Sequence, residues 1–379
     1  LLIQSFFWVP TYDEQGTGNP ARLVKYINGS AADAQILNPI LSADTSSSAI
    51  SDLIFDGLID LGKDLKYRPR LAKSWAQYEE AYLSINTAWD LPWEIREEDP
   101  KVWKDYLVKA LSKNKEWSSN LRSVEVIPEK TIKGEIEKIA YTFKQPARLR
   151  FTINSIDQDF FVPIKNFLGK DYFKTFPYQK FIKAKDPDRQ GDLEKYFEKI
   201  LQVTEHNPVI IFELRKGVVF HDGHPFDSGD VLFTYYSIIN PKGTSPRKSD
   251  YEPVKKATLL GTHKIKFTYK RLFSPAFGSW AMGILPEHLL NENKLKQEAK
   301  ERGRNPEKFI MRDSNFGRNP VGTGPFKFIE WKSDEIIRLE RNENYWDGAP
   351  EYGEYIMRII PDSLTQEMEF YAGAIDNYS

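Results

Sequence analysis

The chain has 379 residues, 40% hydrophobic and 14% aromatic, which supports a sizeable core and two or three domains and excludes disorder as its main state. Its 53 basic and 54 acidic residues leave a net charge of −1, so no global field favours nucleic acid or anionic lipid. The absence of cysteine excludes disulfides, thiol nucleophiles and cysteine-ligated zinc, and no apolar run approaches the ~20 residues of a membrane span.

The opening stretch Leu1–Val9 is too short to span a membrane. It reads as a first strand or as what remains beside a removed export signal or lipid anchor. Residues 10–22 are polar and turn-rich, a loop or extended arm. Leu23, Val24, Tyr26 and Ile27 predict a strand that stops at Asn28-Gly29. After Asn38-Pro39-Ile40-Leu41 comes a polar run from Ser42 to Ser48. Ala49, Ile50, Leu53, Ile54 and Leu58 then recur at helical spacing, with Thr45 or Ser46 as the N-cap.

Further along, Asp99-Pro100 opens a helix with proline at its first position and Val102, Trp103, Tyr106, Leu107 and Leu111 on its apolar face. Val124–Ile127, Ile139–Phe143 and Leu149–Ile153 read as strands. Residues 192–201 predict a helix that buries Leu193, Tyr196, Phe197 and Ile200. The charged run from Lys183 to Arg189 reads as a solvated loop.

Residues 207–241 read as strand, turn, strand, turn, helix. Val209, Ile210, Ile211, Phe212 and Leu214 form a buried β-branched run, Lys216-Gly217 breaks it, and Val218–Phe220 begins a second short strand. Asp222-Gly223 is a tight turn in which glycine takes positive φ cheaply. Asp227 stands as an N-cap three residues before an acidic Asp230, ahead of the helical pattern Val231, Leu232, Tyr235, Ile238 and Ile239. Lys264–Tyr269 then alternates as a half-exposed strand, and the charged stretch 291–308 reads as surface. Gly322, Gly324 and Pro325 suggest a phosphate loop, but no Gly-Lys-Ser/Thr follows, so that idea is weak.

His221-Asp222-Gly223-His224 admits a second chemistry, a metal site or a general base. There are only five histidines in the chain and no second His or Cys cluster, so turn chemistry is the simpler account. A metal-dependent hydrolase using His221, His224 and a carboxylate is the enzymatic alternative. No His-Glu-x-x-His, Gly-x-Ser-x-Gly or Walker pattern supports it.

Several phrases resemble the signatures of the family 5 extracellular solute-binding proteins, the peptide- and nickel-type capture subunits of ATP-driven importers. They are Leu214-Arg215-Lys216-Gly217-Val218, Asp222-Gly223, and Pro225-Phe226 through Asp230-Val231. Phe55-Asp56-Gly57-Leu58, Pro69 to Trp75, Ile284 to Leu289, Asn319 to Phe328 and Gly373-Ala374-Ile375-Asp376 add to them. In such proteins Ser-Trp is followed closely by the strand that leads to the Asp-Gly turn. Here residues 76–206 intervene, expected as a compact α+β unit between two strands that still lie near one another.

The resemblance implies a mixed α/β fold: the first lobe, with its subdomain, of a type II periplasmic-binding-protein architecture, the second lobe lying outside this chain. Residues 1–60 and 286–379 would form the base lobe, and 61–285 a β-rich subdomain. It implies a non-catalytic receptor without cofactor, closing two lobes around an oligopeptide or another small solute. Nickel, haem, glutathione and oligosaccharide binders belong to the same family. The implied partner is the membrane permease of an importer, at the outer face of the cytoplasmic membrane or in the periplasm. Nucleic acid is not a partner, and membrane attachment is confined to a lipid anchor outside this chain. The ligand contacts it implies are Ala43, Asp44, Thr45, Ser46 and Tyr251. A partner-binding or structural protein, with the insert as docking surface, is the non-enzymatic alternative.

Overall fold

A computed structural model describes Glu14 and residues 19–87, 89–91, 95–96, 99–271 and 274–378. The opening stretch 1–9 and most of the arm up to residue 22 lie outside the described residues; within the arm, Pro20–Arg22 form a 3-10 turn.

Five strands make a mixed sheet in the order Phe326–Lys332, Ile336–Arg341, Glu354–Ile359, Lys25–Ser30, Asn377–Tyr378. The first three form an antiparallel meander, whereas Lys25–Ser30 runs parallel to both its neighbours. Asn28-Gly29, expected to end the strand, continues it. Both of its edges are paired there, Asn28 facing Met357 on one side and Asn377 on the other.

Parallel neighbours require crossovers; the one from Lys25–Ser30 to Glu354–Ile359 runs through residues 31–353 and contains the whole second sheet. Thr45–Ile54 follows Lys25–Ser30, and Ser363–Tyr371 joins Glu354–Ile359 to Asn377–Tyr378. Thr45–Ile54 buries Ser47, Ile50, Ser51 and Ile54. Its N-cap is Asp44, one residue before the expected Thr45: the Asp44 carboxylate accepts from the Ser47 N–H at 2.7 Å. A carboxylate there also faces the positive end of the helix dipole. The helix stops at Ile54, short of the expected Leu58, because Phe55 turns extended and the Ile54 carbonyl accepts from the Gly324 N–H at 2.8 Å.

Six antiparallel strands make the second sheet, in the order Val254–Gly261, Lys264–Tyr269, Thr204–Leu214, Ala72–Ser84, Arg148–Ile153, Leu121–Ile127. Thr204–Leu214 pairs with Ala72–Ser84 along its whole length, with Phe212 opposite Trp75 and Asn207 opposite Glu80. The chain thus leaves into and returns from the long segment on neighbouring strands. That segment adds Arg148–Ile153 and Leu121–Ile127 to the same sheet and builds a three-stranded sheet from Lys130–Ile136, Ile139–Gln145 and Ile182–Ala184.

The segment also has a core of its own, in which Trp103, Trp117, Phe151, Phe160 and Tyr172 are buried. Helix Pro100–Leu111, capped by the Asp99 carboxylate, contributes Trp103, Leu107 and Leu111. The helix expected at 192–201 is two short ones, Gln190–Glu194 and Phe197–Ile200, which bury Leu193 and Phe197 in turn. A separate core runs continuously between the mixed sheet and the long sheet, from Ile54 and Phe55 through Phe212, Phe267 and Trp280 to Ile337 and Met357.

The second strand expected at Val218–Phe220 is a single bridge, Val219 to Pro225. The turn between them is too tight for more: Gly223 N–H donates to the Phe220 carbonyl and Phe220 N–H to the His224 carbonyl. Helix Ser228–Ile239 opens with a reciprocal capping box between Asp227 and Asp230, as the sequence predicts.

Candidate functional site

Strands Lys25–Ser30 and Glu354–Ile359 end side by side, the Ile360 N–H donating to the Ser30 carbonyl at 2.8 Å. The helices that follow them diverge. Thr45–Ile54 packs on Phe326–Lys332 at one edge of the sheet, while Ser363–Tyr371 leads to Asn377–Tyr378 at the other. The crevice outside the carboxyl ends of such strands is where open α/β sheets hold ligands.

At that crevice the Ser30 and Ser46 hydroxyls lie 3.2 Å apart, and both reach the Ala32 carbonyl, at 2.8 and 2.9 Å. A hydroxyl has one proton and two lone pairs, so committing both protons to Ala32 leaves two oxygens that accept. Beside them the Thr45 and Ser46 N–H groups, at the start of the helix, have no hydrogen-bond partner among the described residues. Ala43 and Thr45 are exposed, and Asp44 and Ser46 half-buried. The buried Ser47 holds the preceding loop, its hydroxyl accepting from the N–H groups of Gln35 and Ile36. Acceptors and donors therefore sit next to each other, the pattern an extended peptide backbone presents in return. Ser30 escaped the sequence reading; its signal was a serine closing a strand just before a polar loop.

Tyr251 lies in the core. It is 2% exposed, its ring meets Trp280 edge-on, and its hydroxyl donates to the Ser279 carbonyl. Burial pushes its pKa up, and its one proton is already committed.

The far end of helix Thr45–Ile54 joins several of the signature phrases into one junction. The Asp56 carboxylate, its side chain 1% exposed, accepts from Arg70 Nη2 at 2.7 Å, Tyr345 OH at 3.1 Å and Trp346 Nε1 at 2.9 Å. Burial raises its pKa against the pull of Arg70 and of these hydrogen bonds. Gly322 packs against the helix end so closely that a Cβ would lie 2.0 Å from the Ile54 carbonyl oxygen. A glycine loop at a helix C-terminus meets partial negative charge, the wrong polarity for a phosphate loop.

His221 ties the Asp-Gly turn to that loop. Its Nε2 donates to the Gly324 carbonyl at 3.0 Å, and its Nδ1 accepts from the Gly322 N–H at 3.3 Å. A ring used in this way is neutral, and burial pushes its pKa down to about 4. Asp222 pairs with His288 Nε2 at 2.8 Å, and the His224 ring stacks on His288 at 3.8 Å. Asp230 accepts from the N–H groups of Asp227 and Glu287, and burial raises its pKa to about 6. The histidines and acids of the signature thus serve the junction. No group of three His, Asp or Glu placed to hold a metal occurs among the described residues.

Residues 194–379 match the family described as bacterial extracellular solute-binding proteins, family 5 middle. The oligopeptide-binding protein AppA of Bacillus subtilis is 31% identical over 172 residues, which are 44% of this chain and 29% of that protein. The glutathione-binding protein GsiB of Pectobacterium atrosepticum is 26% identical over 155 residues, 41% of this chain and 27% of that one. Among solved structures, AppA of Bacillus subtilis in complex with a nonapeptide matches with a TM-score of 0.51 and 19% identity, over 93% of this chain and 43% of that one. NikZ of Campylobacter jejuni in complex with Ni(L-His) matches with a TM-score of 0.50 and 19% identity, over 93% and 42%. The structural likeness establishes the fold. This chain spans about three-tenths of the length of these curated relatives and less than half of these solved chains.

Proposed function

Residues 194–379 belonging to the bacterial extracellular solute-binding proteins of family 5, we propose that this chain is part of the solute-capture subunit of an ATP-binding-cassette importer and that its solute is an oligopeptide. The observation that carries the peptide reading is the edge at Ser30, Thr45 and Ser46, where two hydroxyl acceptors adjoin two N–H donors without a partner among the described residues. Ala43 and Asp44 complete that edge, with Asp44 spending one carboxylate oxygen on the Ser47 N–H. Tyr251, buried in the core with its hydroxyl given to Ser279, is not part of that edge.

The role is non-catalytic. Capture works by closure of a second lobe over the crevice, which buries the ligand from both sides and favours the closed form by its tighter contacts. In this reading residues 1–60 and 286–379 supply the base lobe and 61–285 a β-rich subdomain that contains the 76–206 insertion. The working place is the periplasm or the outer face of the cytoplasmic membrane, and the partner is the importer's permease. Among the described residues no helix is long and apolar enough to cross a membrane.

Mass spectrometry of ligand that co-purifies with the full-length protein identifies the solute, and calorimetry with that solute then tests the edge. Ser30→Ala/Ser46→Ala is expected to lower affinity about tenfold, the equivalent of 1.4 kcal/mol. Unchanged affinity, or a co-purifying solute without a peptide backbone, refutes the reading.

A further inference from the structure

A second concavity lies away from the crevice. Its volume is about 360 Å3, and Lys73, Arg215, Lys216, Gly217, Val218 and Trp346 line it. Trp346 is bonded to Asp56, just past the C-terminal end of helix Thr45–Ile54, whereas the 43–46 loop sits at that helix's N-terminus. The helix separates the two places by its length, ~15 Å at 1.5 Å per residue.

Half of the lining residues are cations. Arg215 gives its Nε to the Arg70 carbonyl at 2.6 Å and lays its guanidinium over the Trp346 indole, 4.6 Å from the ring centre. That leaves both Nη groups without a hydrogen bond or ion pair among the described residues, as are the ammonium groups of the exposed Lys73 and Lys216. Of the neighbouring carboxylates, Asp56 and Asp347 share Arg70 and Glu213 pairs with Lys264 while also feeling Lys73, so five cations face three carboxylates. The pocket therefore holds surplus positive charge around one pre-oriented fork of donors. The backbone N–H groups of Lys216 and Gly217 also have no partner among the described residues, and Gly217 at φ +79° carries no side chain to cover them.

A planar guanidinium held over an aromatic ring matches two oxygens of one group, and two ammoniums beside it call for more charge than one carboxylate carries. A phosphate monoester brings about −1.5 to −2 charges and three acceptor oxygens. We propose that this pocket is an anion site, separate from the solute crevice, that binds a phosphate monoester group. The carrier is either a soluble phosphorylated compound or a lipid headgroup; the contacts are the same in both cases. The proposal does not depend on the chain being a solute receptor.

The test is calorimetric titration of the chain with inorganic phosphate, together with flotation on phosphatidylcholine vesicles with and without phosphatidic acid. Saturable binding of phosphate, or retention only on the phosphatidic acid vesicles, is expected. Lys73→Gln/Lys216→Gln removes two exposed charges outside the core, so it should keep the melting temperature and weaken binding at least about tenfold, one lost charge-assisted bond in free energy. Arg215→Lys, which keeps the charge but loses the fork, should weaken binding as well. Phosphate binding without vesicle retention assigns a soluble carrier, and vesicle retention assigns a headgroup. Absence of both, or equal binding by parent and folded variants, overturns the proposal.

Discussion

Protonation of His221 offers a direct reading of the junction between the signature turn and the glycine loop. Burial pushes its pKa down from 6.5 to about 4. Between those values the unfolded chain binds a proton that the native chain refuses, so this contribution is complete above pH 6.5 and is lost as pH falls. At 1.36 kcal/mol per pH unit the loss is ~2 kcal/mol by pH 5 and ~3 by pH 4. Asp230 works in the opposite sense. Its pKa is raised from 3.8 to about 6, so the native chain holds that proton longer and stability falls as pH rises through this interval. The two groups oppose each other, and between pH 7 and 5 the parent should change little on their account.

His221→Phe separates them. At pH 7 it loses the bonds to the Gly324 carbonyl and the Gly322 N–H, at a cost of ~1–3 kcal/mol. On acidification to pH 5 it should gain on the parent by ~2 kcal/mol, because it has no imidazole to protonate. Urea unfolding followed by tryptophan fluorescence at pH 7, 6 and 5, extrapolated linearly, measures the gap at each pH. A gap that stays constant would show that His221 titrates alike in both states, and the neutral, doubly bonded ring would be refuted.

Gly223→Val should cost ~1–3 kcal/mol, the range for a non-glycine held in a strained backbone region. Gly223 has φ +87° and a Cβ there meets nothing within 4 Å, so equal thermal stability of parent and variant would remove backbone strain as the reason for glycine. Asp56→Ala should cost ~3–5 kcal/mol in a thermal melt, because it strands the Arg70 charge with the Tyr345 and Trp346 donors. Tyr172→Phe should cost ~1–2 kcal/mol by removing the hydroxyl that donates to the Ser84 carbonyl and accepts from the Asn86 N–H. Its hydrogen exchange should quicken in residues 100–200 and leave Val209–Leu214 unchanged, and uniform quickening would deny that segment a core of its own.

Local chemistry was legible in the sequence where its partners are a few residues apart. The capping box of Asp227 and Asp230 and the Asp222-Gly223 turn need only neighbouring atoms, so their residue types announce them. Asn28-Gly29 misled because its type signals a turn, while Met357 and Asn377, which hold it in the sheet, are distant in sequence. The resemblance made Tyr251 a ligand contact, yet Trp280 and the Ser279 carbonyl draw it into the core. The edge at Ser30 and Ser46 and the cationic pocket of Lys73, Arg215 and Trp346 have no local signature. Strand pairing and helix direction bring those residues together.

The segment between residues 84 and 204 leaves both places alone, for a reason visible in the pairing. Thr204–Leu214 and Ala72–Ser84 form one long antiparallel pair, so the added residues extend from the distant end of that pair. Closing a longer loop costs only ~0.6 kcal/mol per doubling of its length. The ordered segment is held by a second core that buries Trp103, Phe151, Phe160 and Tyr172. The seam is sealed by Glu79, which is fully buried, bonds to His206 and accepts from the Asp157 N–H at 3.1 Å. Asp56, His221 and the glycine loop lie at the opposite end of the pair, where Ala72 faces Leu214. Changes between residues 84 and 204 should therefore alter stability and surface without moving the edge at Ser30 and Ser46.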